Sequence, residues 1–286
     1  MSVYQIVTNK ILDALERKIV PWKNPYVGVP HQNFFTRRPY SGINSLLLNI
    51  DTMEFNYQSP YWLTWNQINE KGWTIKKGAK SCIVTFWSPV NVNETIDNDE
   101  DNQKEEKTRF VFRYYRVFNA SQIIELPLEE VTVRSKIESF DTNFERLKNY
   151  CQLEKITLNY AVNGTSNYSV LQDAITLAPV IESEKVPVFC HECIHSTGHP
   201  NRLNRIRDDT YLKEKYSMEE LIAEIGSSML CNLLGIENNI DQSVSYIDSW
   251  LKFLKDDRKH SVISASSQAQ KAVDYILKIL NISLAA

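Results

Sequence analysis

The chain has 286 residues, of which 43% are apolar and 23% are charged, as in typical globular proteins. This composition excludes a mainly disordered or collagen-like chain, and five cysteines are too few for a disulfide scaffold at this length. No apolar run approaches the roughly 18 residues that cross a bilayer, and the N-terminus lacks the apolar stretch of a secretory signal. We therefore expect a cytoplasmic protein of two domains with no membrane partner.

The net charge of −3 is the sum of segments that differ in sign. Residues 1–90 carry ten basic and five acidic side chains, whereas residues 91–107 carry two and seven. Residues 108–136 are again basic, with five against three, and residues 137–286 have a net charge of −5. Five of the six tryptophans lie within the first 87 residues. These differences favour two halves with different chemistry.

The elements predicted for the N-terminal half are three helices followed by a sheet. Helical periods or buried apolar runs predict the helices at 4–18, 42–51 and 62–71. Alternating β-branched and aromatic residues predict strands at 73–75, 82–87 and 110–118. Residues 91–107 contain only two aliphatic side chains, so we expect a mobile acidic hairpin loop there.

A change in composition at residues 126–130 predicts a domain boundary near residue 128, which gives domains at 1–128 and 129–286. Helices are predicted beyond it at 140–151, 186–196, 217–234, 243–254 and 264–280, and a strand at 173–179. The fold class is therefore α+β. We expect an N-terminal domain of helices and antiparallel sheet, followed by a mostly helical domain with a small sheet.

Three of the five histidines fall within the nine residues 191–199. Residues four apart on a helix share a face, so His191 and His195 can bind one cation. Glu192 can reach a water on that cation and act as a general base. This H-E-x-x-H arrangement is typical of zinc peptidases. It predicts one Zn²⁺ per chain, with another divalent metal such as Mn²⁺ as the alternative.

A third ligand is expected on a second helix, because catalytic zinc usually has three protein ligands. Glu220-Leu-Ile-Ala-Glu224 resembles the E-x-x-[AS]-D pattern of thermolysin-type and neprilysin-type zincins, with Glu in place of Asp. We assign Glu220 as the ligand and Glu224 as the residue that orients a histidine, and the reverse assignment is the alternative. Glu219 points about 100° away from Glu220 on an ideal helix, so we expect it to face solvent.

The residues around the motif have less specific patterns. His199 comes two positions too early to be the third metal ligand of a metzincin. We expect it to contact a metal-ligating side chain or the substrate, or to cap the helix. Arg202 and Arg205 either bind an anion or pair with acidic side chains. Cys190 and Cys193 form a C-x-x-C pair, for which burial as small apolar residues is a better account than a zinc or redox site.

The N-terminal half has the composition of a single-stranded nucleic-acid site, which combines cations with aromatic faces on which bases stack. The candidate cations are Arg37, Arg38, Lys76, Lys77 and Lys80. The candidate aromatic platforms are Tyr40, Trp62, Trp65, Trp73 and Trp87. An aromatic core and a solvated turn are the alternatives.

Motifs along nearly the entire chain resemble the ArdC family of antirestriction proteins. Those of the first half include Tyr40-Ser41-Gly42-Ile43-Asn44, Trp62-Leu63-Thr64-Trp65-Asn66-Gln67 and Lys76-Lys77-Gly78-Ala79-Lys80. Those of the second half include HECIHSTGHPNRLNR at 191–205 and YSMEELIAEIGSSMLCNLLGI at 216–236. The resemblance implies a single-stranded DNA-binding domain joined to a zincin-like metallopeptidase domain, carried by a plasmid, an integrative element or a phage. It also implies protection of incoming DNA from host restriction and adds Asn44 as a candidate DNA contact.

Under this interpretation Glu192 activates the water that attacks a peptide carbonyl, and the strand at 173–177 holds the substrate by edge pairing. The protein or peptide substrate is unknown, and a host restriction component is the candidate. One alternative is a protein that shields single-stranded DNA and has a structural or catalytically silent zinc site. Another is a cytoplasmic metallopeptidase that does not bind DNA.

Overall fold

The computed structural model describes residues 1–94, 105–132, 138–206, 213–236, 250–252, 254–255 and 261–282. These residues form eight α-helices, one short 3-10 helix and two β-sheets. The α+β fold class predicted from the sequence is confirmed. None of the described helices is long and apolar enough to cross a membrane.

The N-terminal half combines helices with a four-stranded sheet. Its helices are α1 (Val3–Glu16), α2 (Ile43–Phe55) and α3 (Trp65–Glu70). Its strands are β1 (Gln32–Asn33), β2 (Tyr61–Thr64), β3 (Cys82–Glu94) and β4 (Glu105–Asn119), in the order β1-β2-β4-β3. Helix α1 begins with a capping box, in which the Ser2 hydroxyl accepts from the Gln5 N–H and the Gln5 side chain accepts from the Ser2 N–H.

The predicted helix at 62–71 is wrong at its start, because residues 61–64 form strand β2, in which residues 62–64 pair with β4. The helix begins at Trp65. Before it, the Thr64 hydroxyl accepts the Gln67 N–H at 3.3 Å and the Gln67 side chain accepts the Thr64 N–H at 2.9 Å. This capping box fixes the change from strand to helix. The predicted strand at 73–75 is reduced to an isolated bridge between Ile75 and Ile123.

The β3–β4 hairpin is longer than predicted. Its antiparallel register runs from Cys82 opposite Val117 to Glu94 opposite Glu105. The acidic segment predicted as a loop at 91–107 therefore continues both strands at its ends, and residues 95–104 lie outside the described residues.

The C-terminal half is mostly helical and has a small sheet. Its helices are α4 (Leu128–Val131), α5 (Phe140–Leu153), α6 (Glu182–Ser196), α7 (Lys213–Leu233) and α8 (Ser261–Ile279). Its strands are β5 (Thr157–Tyr160), β6 (Asn167–Ser169) and β7 (Ala174–Leu177). Most of the helix predicted at 243–254 lies outside the described residues.

The order of this small sheet is β5-β7-β6, with β7 parallel to β5 and antiparallel to β6. The prediction that residues 173–177 bind a substrate strand is therefore wrong, because both sides of β7 are already paired. Strand β6 lies at the edge of the sheet and packs against α6.

The largest apolar core joins helices from both halves of the sequence. It includes residues with no exposed surface, among them Ile11 of α1, Leu46 of α2, Phe189 of α6, Leu221 of α7 and Val273 of α8. Burying each such side chain contributes about 1.5–3 kcal/mol to folding. The N-terminal helices therefore support the same core as the helices of the second half, and the domain boundary near residue 128 stays a prediction.

Candidate metal centre

The candidate metal centre lies where α6 packs against α7. A Cβ atom added at Gly226 of α7 would lie 3.0 Å from the side chain of Ile194 of α6, closer than ordinary van der Waals contact. The absence of a side chain at Gly226 therefore lets the two helices approach each other. Ile194 precedes His195, so this close approach brings the histidine face of α6 to the glutamates of α7.

Two histidines and one glutamate converge at this contact. The Nε2 atoms of His191 and His195 lie 3.1 Å apart. The Glu220 carboxylate lies 3.6 Å from His191 Nε2 and 3.5 Å from His195 Nε2. One ligand atom from each of the three residues lies within 4.8 Å of the others, and the described part of the chain has one such group. These three side chains could hold a metal ion.

Glu224 contacts the opposite side of the first histidine. Its carboxylate lies 3.7 Å from His191 Nδ1, whereas Glu220 faces Nε2 of both histidines. This arrangement favours Glu220 as the third ligand and Glu224 as the residue that orients His191. Burial alone lowers the pKa of His191, but the facing carboxylates of Glu220 and Glu224 outweigh it and raise the pKa to about 10. Such a surplus of carboxylates around two imidazoles suits a divalent cation.

Glu192 is buried beside the three candidate ligands, with 5% of its surface exposed. The backbone of Tyr168 in strand β6 lies near its carboxylate and slightly favours the charged form. Burial raises the pKa of Glu192 above its ordinary value, and the nearby His195 and His191 oppose that rise. A carboxylate with a raised pKa in this position is suited to accept and release a proton.

Glu219 was expected to face solvent, and this prediction is wrong, because only 7% of its surface is exposed. Its Oε1 atom lies 3.2 Å from His195 Nδ1. Arg205 donates from Nε and Nη2 to the two oxygens of Glu219, each at 2.9 Å. Glu219 and Glu220 therefore contact opposite nitrogens of the same imidazole. Burial tends to raise the pKa of Glu219, but the contacts with His195 and Arg205 outweigh it and lower the pKa.

Arg205 is the residue that makes the burial of Glu219 possible, and helical periodicity alone did not identify it. It lies after the end of α6 and also donates to the Thr197 hydroxyl at 2.8 Å and to the Ile194 carbonyl at 2.6 Å. These bonds tie the segment after α6 to α7. The arginines that follow the motif thus pair with acidic side chains, which was one of the two options.

Arg202 ties the end of α6 to the small sheet. It donates to the Ser196 carbonyl at 2.7 Å, binds both oxygens of Asp173 and contacts the Tyr168 hydroxyl. Its side chain is 4% exposed. His199 has a local role, since its Nδ1 accepts the Asn201 N–H at 3.2 Å and so caps the turn after α6.

The cysteines near the motif are part of the core. Cys190 and Cys193 have no exposed surface, and each is a free thiol. Burial raises the pKa of both thiols well above their ordinary value. Neither belongs to the metal-ligating group, in agreement with a role as small apolar residues.

The candidate DNA-binding residues do not form one exposed surface. Trp62 has no exposed surface, and its Nε1 donates to His31 Nδ1 at 3.0 Å. The prediction that Trp62 stacks on bases is therefore wrong. The Asn44 side chain bonds the backbone N–H and carbonyl of Thr85 and fastens α2 to β3. Tyr40 is half-buried against the cluster that contains Trp62.

The remaining candidates differ in their surroundings. Trp73 stacks on Phe35 with ring centroids 5.6 Å apart, and the Arg37 guanidinium lies 4.3 Å from the centroid of the Tyr61 ring. Lys76 donates to the Ser121 carbonyl at 2.7 Å. Exposed candidates are Arg38, Trp65, Lys76, Lys77, Lys80 and Trp87.

Two family models match this chain. Residues 1–118 match the N-terminal domain of anti-restriction factor ArdC, and residues 145–268 match a zincin-like metallopeptidase family. The fold is similar to the metal-free crystal structure of the antirestriction ArdC protein from plasmid R388, with a TM-score of 0.81 and 31% identity over 98% of each chain. The Mn(II)-bound structure of that protein gives a TM-score of 0.77 and 30% identity, also over 98% of each chain.

Three further relatives match 96% of this chain. Two are DNA primases TraC from Escherichia coli, 29% and 28% identical, of which the aligned region spans 20% and 27%. This chain is thus similar to about a fifth to a quarter of each primase. The third is protein y4eC of Sinorhizobium fredii (strain NBRC 101917 / NGR234), 25% identical over 91% of its length.

Proposed function

Because the chain belongs to the ArdC family of antirestriction proteins, we propose that it protects DNA entering a cell from restriction. In this proposal, residues 1–128 bind single-stranded DNA and residues 129–286 bind one divalent metal ion through His191, His195 and Glu220. The observation that carries the proposal is the convergence of these three side chains within 4.8 Å. Similarity to an antirestriction protein over 98% of the chain supports it.

The donor set suits Zn²⁺, because two imidazoles and one carboxylate are typical ligands of a catalytic zinc ion. The Mn(II)-bound R388 relative makes Mn²⁺ the alternative. Contacts at Nδ1 from Glu224 and Glu219 keep Nε2 of His191 and His195 directed toward one point. Such supporting carboxylates raise the basicity of metal-binding imidazoles.

The proposed reaction is hydrolysis of a peptide bond. A divalent metal at this site would polarise the peptide carbonyl and acidify water. Glu192 would accept a proton at its carboxylate and deliver it to the departing amine, and its raised pKa suits both steps. Edge strand β6, which packs against the helix α6 that carries Glu192, would bind an extended peptide through main-chain hydrogen bonds. The proposed substrate is a protein of the recipient cell, such as a component of its restriction system.

The alternative is a protein that shields DNA without hydrolysing a peptide. The two functions are separated by transferring unmodified plasmid DNA into a restricting host that produces either the natural protein or a Glu192→Gln variant. We expect the natural protein to increase the number of transformants and Glu192→Gln to abolish that increase. A matched control is Glu182→Gln, because Glu182 lies on the same helix with 67% of its side chain exposed.

Each outcome of this experiment supports or contradicts a stated part of the proposal. Full protection by Glu192→Gln, at equal protein level, would contradict the peptidase function and leave the DNA-shielding function. A natural protein that gives no protection against several restriction systems would contradict the antirestriction function as a whole.

A further inference from the structure

The β3–β4 hairpin continues beyond the part of the sheet that β2 covers. Strand β2 pairs with β4 at residues 117–119, whereas the β3–β4 ladder continues to Glu94 opposite Glu105. We call residues 83–89 and 109–116 the ribbon. Opposed residues of an antiparallel pair share a face and successive residues alternate between faces. The ribbon therefore has two faces that carry different side chains.

One face of the ribbon contacts helix α1. Trp87 lies opposite Phe112, with their ring centroids 4.9 Å apart. The Tyr4 ring of α1 lies 4.8 Å from Phe112 and 6.4 Å from Trp87. Trp87 and Phe112 thus have a partner within the chain, whereas Phe110 of the same face is 64% exposed.

The other face, which we call the Tyr115 face, carries Phe86, Arg109, Val111, Arg113 and Tyr115. Phe86 stacks on Tyr115, with centroids 4.1 Å apart and planes 7° from parallel. Tyr115 is 57% exposed, and Val111 is 42% exposed. Arg113 lies directly opposite Phe86, so its side chain leaves the ribbon on the same face as the stacked rings.

The charges of this face favour an anionic partner. Arg109 and Arg113 are both exposed. Arg113 forms no ion pair with any carboxylate among the residues that the structure describes. An exposed ring pair beside an arginine without an acidic partner matches the needs of single-stranded nucleic acid, whose bases stack on aromatic rings and whose phosphates bind guanidinium groups.

We infer that single-stranded DNA binds along the Tyr115 face, with Tyr115 stacking on a base and Arg113 contacting a phosphate. This inference rests on the proposed function, of which DNA binding is a part. Alternation separates Arg109, Val111, Arg113 and Tyr115 by about 6.8 Å along one face of the strand. An extended single strand can follow such a row.

The sequence also indicates which part of the hairpin the DNA occupies. The sequence of residues 91–107 contains seven acidic and two basic residues, a composition that disfavours phosphates. The DNA is therefore expected on the part of the ribbon nearest the rest of the sheet. A second copy of this chain fits less well, because a symmetric contact would bring two equally basic faces together.

The inference is tested by fluorescence anisotropy with a labelled oligothymidine over a series of salt concentrations. Tyr115→Ala should lower the affinity about tenfold, because one stacked base is lost, and should leave the salt dependence unchanged. Arg113→Gln should also weaken binding and should reduce the slope of log K against log salt by about 0.7. Matched controls are Tyr160→Ala on β5, where Tyr160 is 63% exposed, and Lys271→Gln, an exposed lysine of α8.

The outcomes distinguish this inference from the proposed function. If the natural protein binds the oligonucleotide and both ribbon variants bind it equally well, the inference is overturned while DNA binding stands. If the natural protein does not bind it, the inference and the proposed DNA binding both fail. If the ribbon variants change the elution volume in size-exclusion chromatography but not the DNA affinity, the ribbon joins copies of the chain, and the inference is overturned. Thermal melts of each variant verify that the fold is retained.

Discussion

Glu219 provides a sharp test of how the metal centre is held. Its carboxylate accepts two N–H groups from Arg205 at 2.9 Å and lies 3.2 Å from His195 Nδ1. In a Glu219→Gln variant the amide keeps the size of the side chain but loses one acceptor oxygen and the negative charge. Either Arg205 or His195 then loses its hydrogen-bond partner. The substitution alters none of the three candidate ligands, His191, His195 and Glu220.

The expected losses of metal affinity and of folding stability are both large enough to measure. Removal of a group that orients a metal ligand typically lowers metal affinity 10- to 100-fold, or by about 1.4–2.7 kcal/mol. Hydrogen bonds to charged groups contribute about 1.5–3 kcal/mol each, so the free energy of unfolding of the metal-free protein should fall by a similar amount. Competition with a chelating dye gives the Kd for Zn²⁺, and urea unfolding gives the stability.

A matched control shows whether the losses of metal affinity and stability are specific to Glu219 or follow from removing any glutamate charge. Glu182→Gln removes an exposed carboxylate that pairs with Lys185 on α6, and both measured quantities should stay unchanged. If Glu219→Gln binds Zn²⁺ within twofold of the natural protein, Glu219 does not position His195, and the reasoning is refuted.

Three further substitutions test other parts of the structure. Burial lowers the pKa of His31 from 6.5 to about 4. Between these pH values the His31 imidazole is therefore protonated in the unfolded chain and neutral in the folded chain. The free energy of unfolding should therefore fall by about 3 kcal/mol more between pH 6.5 and 4 in the natural protein than in His31→Gln, and equal losses in urea unfolding would contradict this. Gly226→Val should lower stability by about 1–3 kcal/mol and weaken Zn²⁺ binding, because the side chain meets Ile194, and an unchanged Kd would contradict this contact. Trp62→Phe should lower stability by about 1–3 kcal/mol because the bond to His31 is lost, yet oligothymidine affinity should not change, and a loss of affinity would restore Trp62 as a DNA contact.

The two histidines of the candidate metal centre could be predicted because the information is local. His191 and His195 lie one helical turn apart, and the period of α6 alone places them on one face. The prediction of Glu220 as the third ligand depended on the E-x-x-[AS]-D pattern of known zincins. Glu219 was missed because the direction of a side chain on an isolated helix does not show what packs against it. Its burial depends on Arg205, which reaches it from the segment after α6.

The errors in the fold also concern contacts between distant residues. Residues 61–64 form a strand because β4 provides a partner, and no local period in the sequence shows this pairing. The consequence is that Trp62 is buried, whereas Trp65, three residues later on α3, is 52% exposed. Similarly, β7 was predicted as a strand, but its central place depends on β5 and β6. The sequence predicts the two strands of the ribbon, but it predicts neither their full length nor which side chains share a face.

The central claim is that His191, His195 and Glu220 hold a metal ion in a protein of the ArdC family. The most direct measurement is the metal content of the purified chain after exposure to Zn²⁺ and removal of excess ion, determined by elemental analysis. We expect about one zinc per chain in the natural protein and almost none in His191→Ala, with both proteins folded by circular dichroism. A natural protein that retains no metal, or a His191→Ala variant that retains a full equivalent, would contradict the claim.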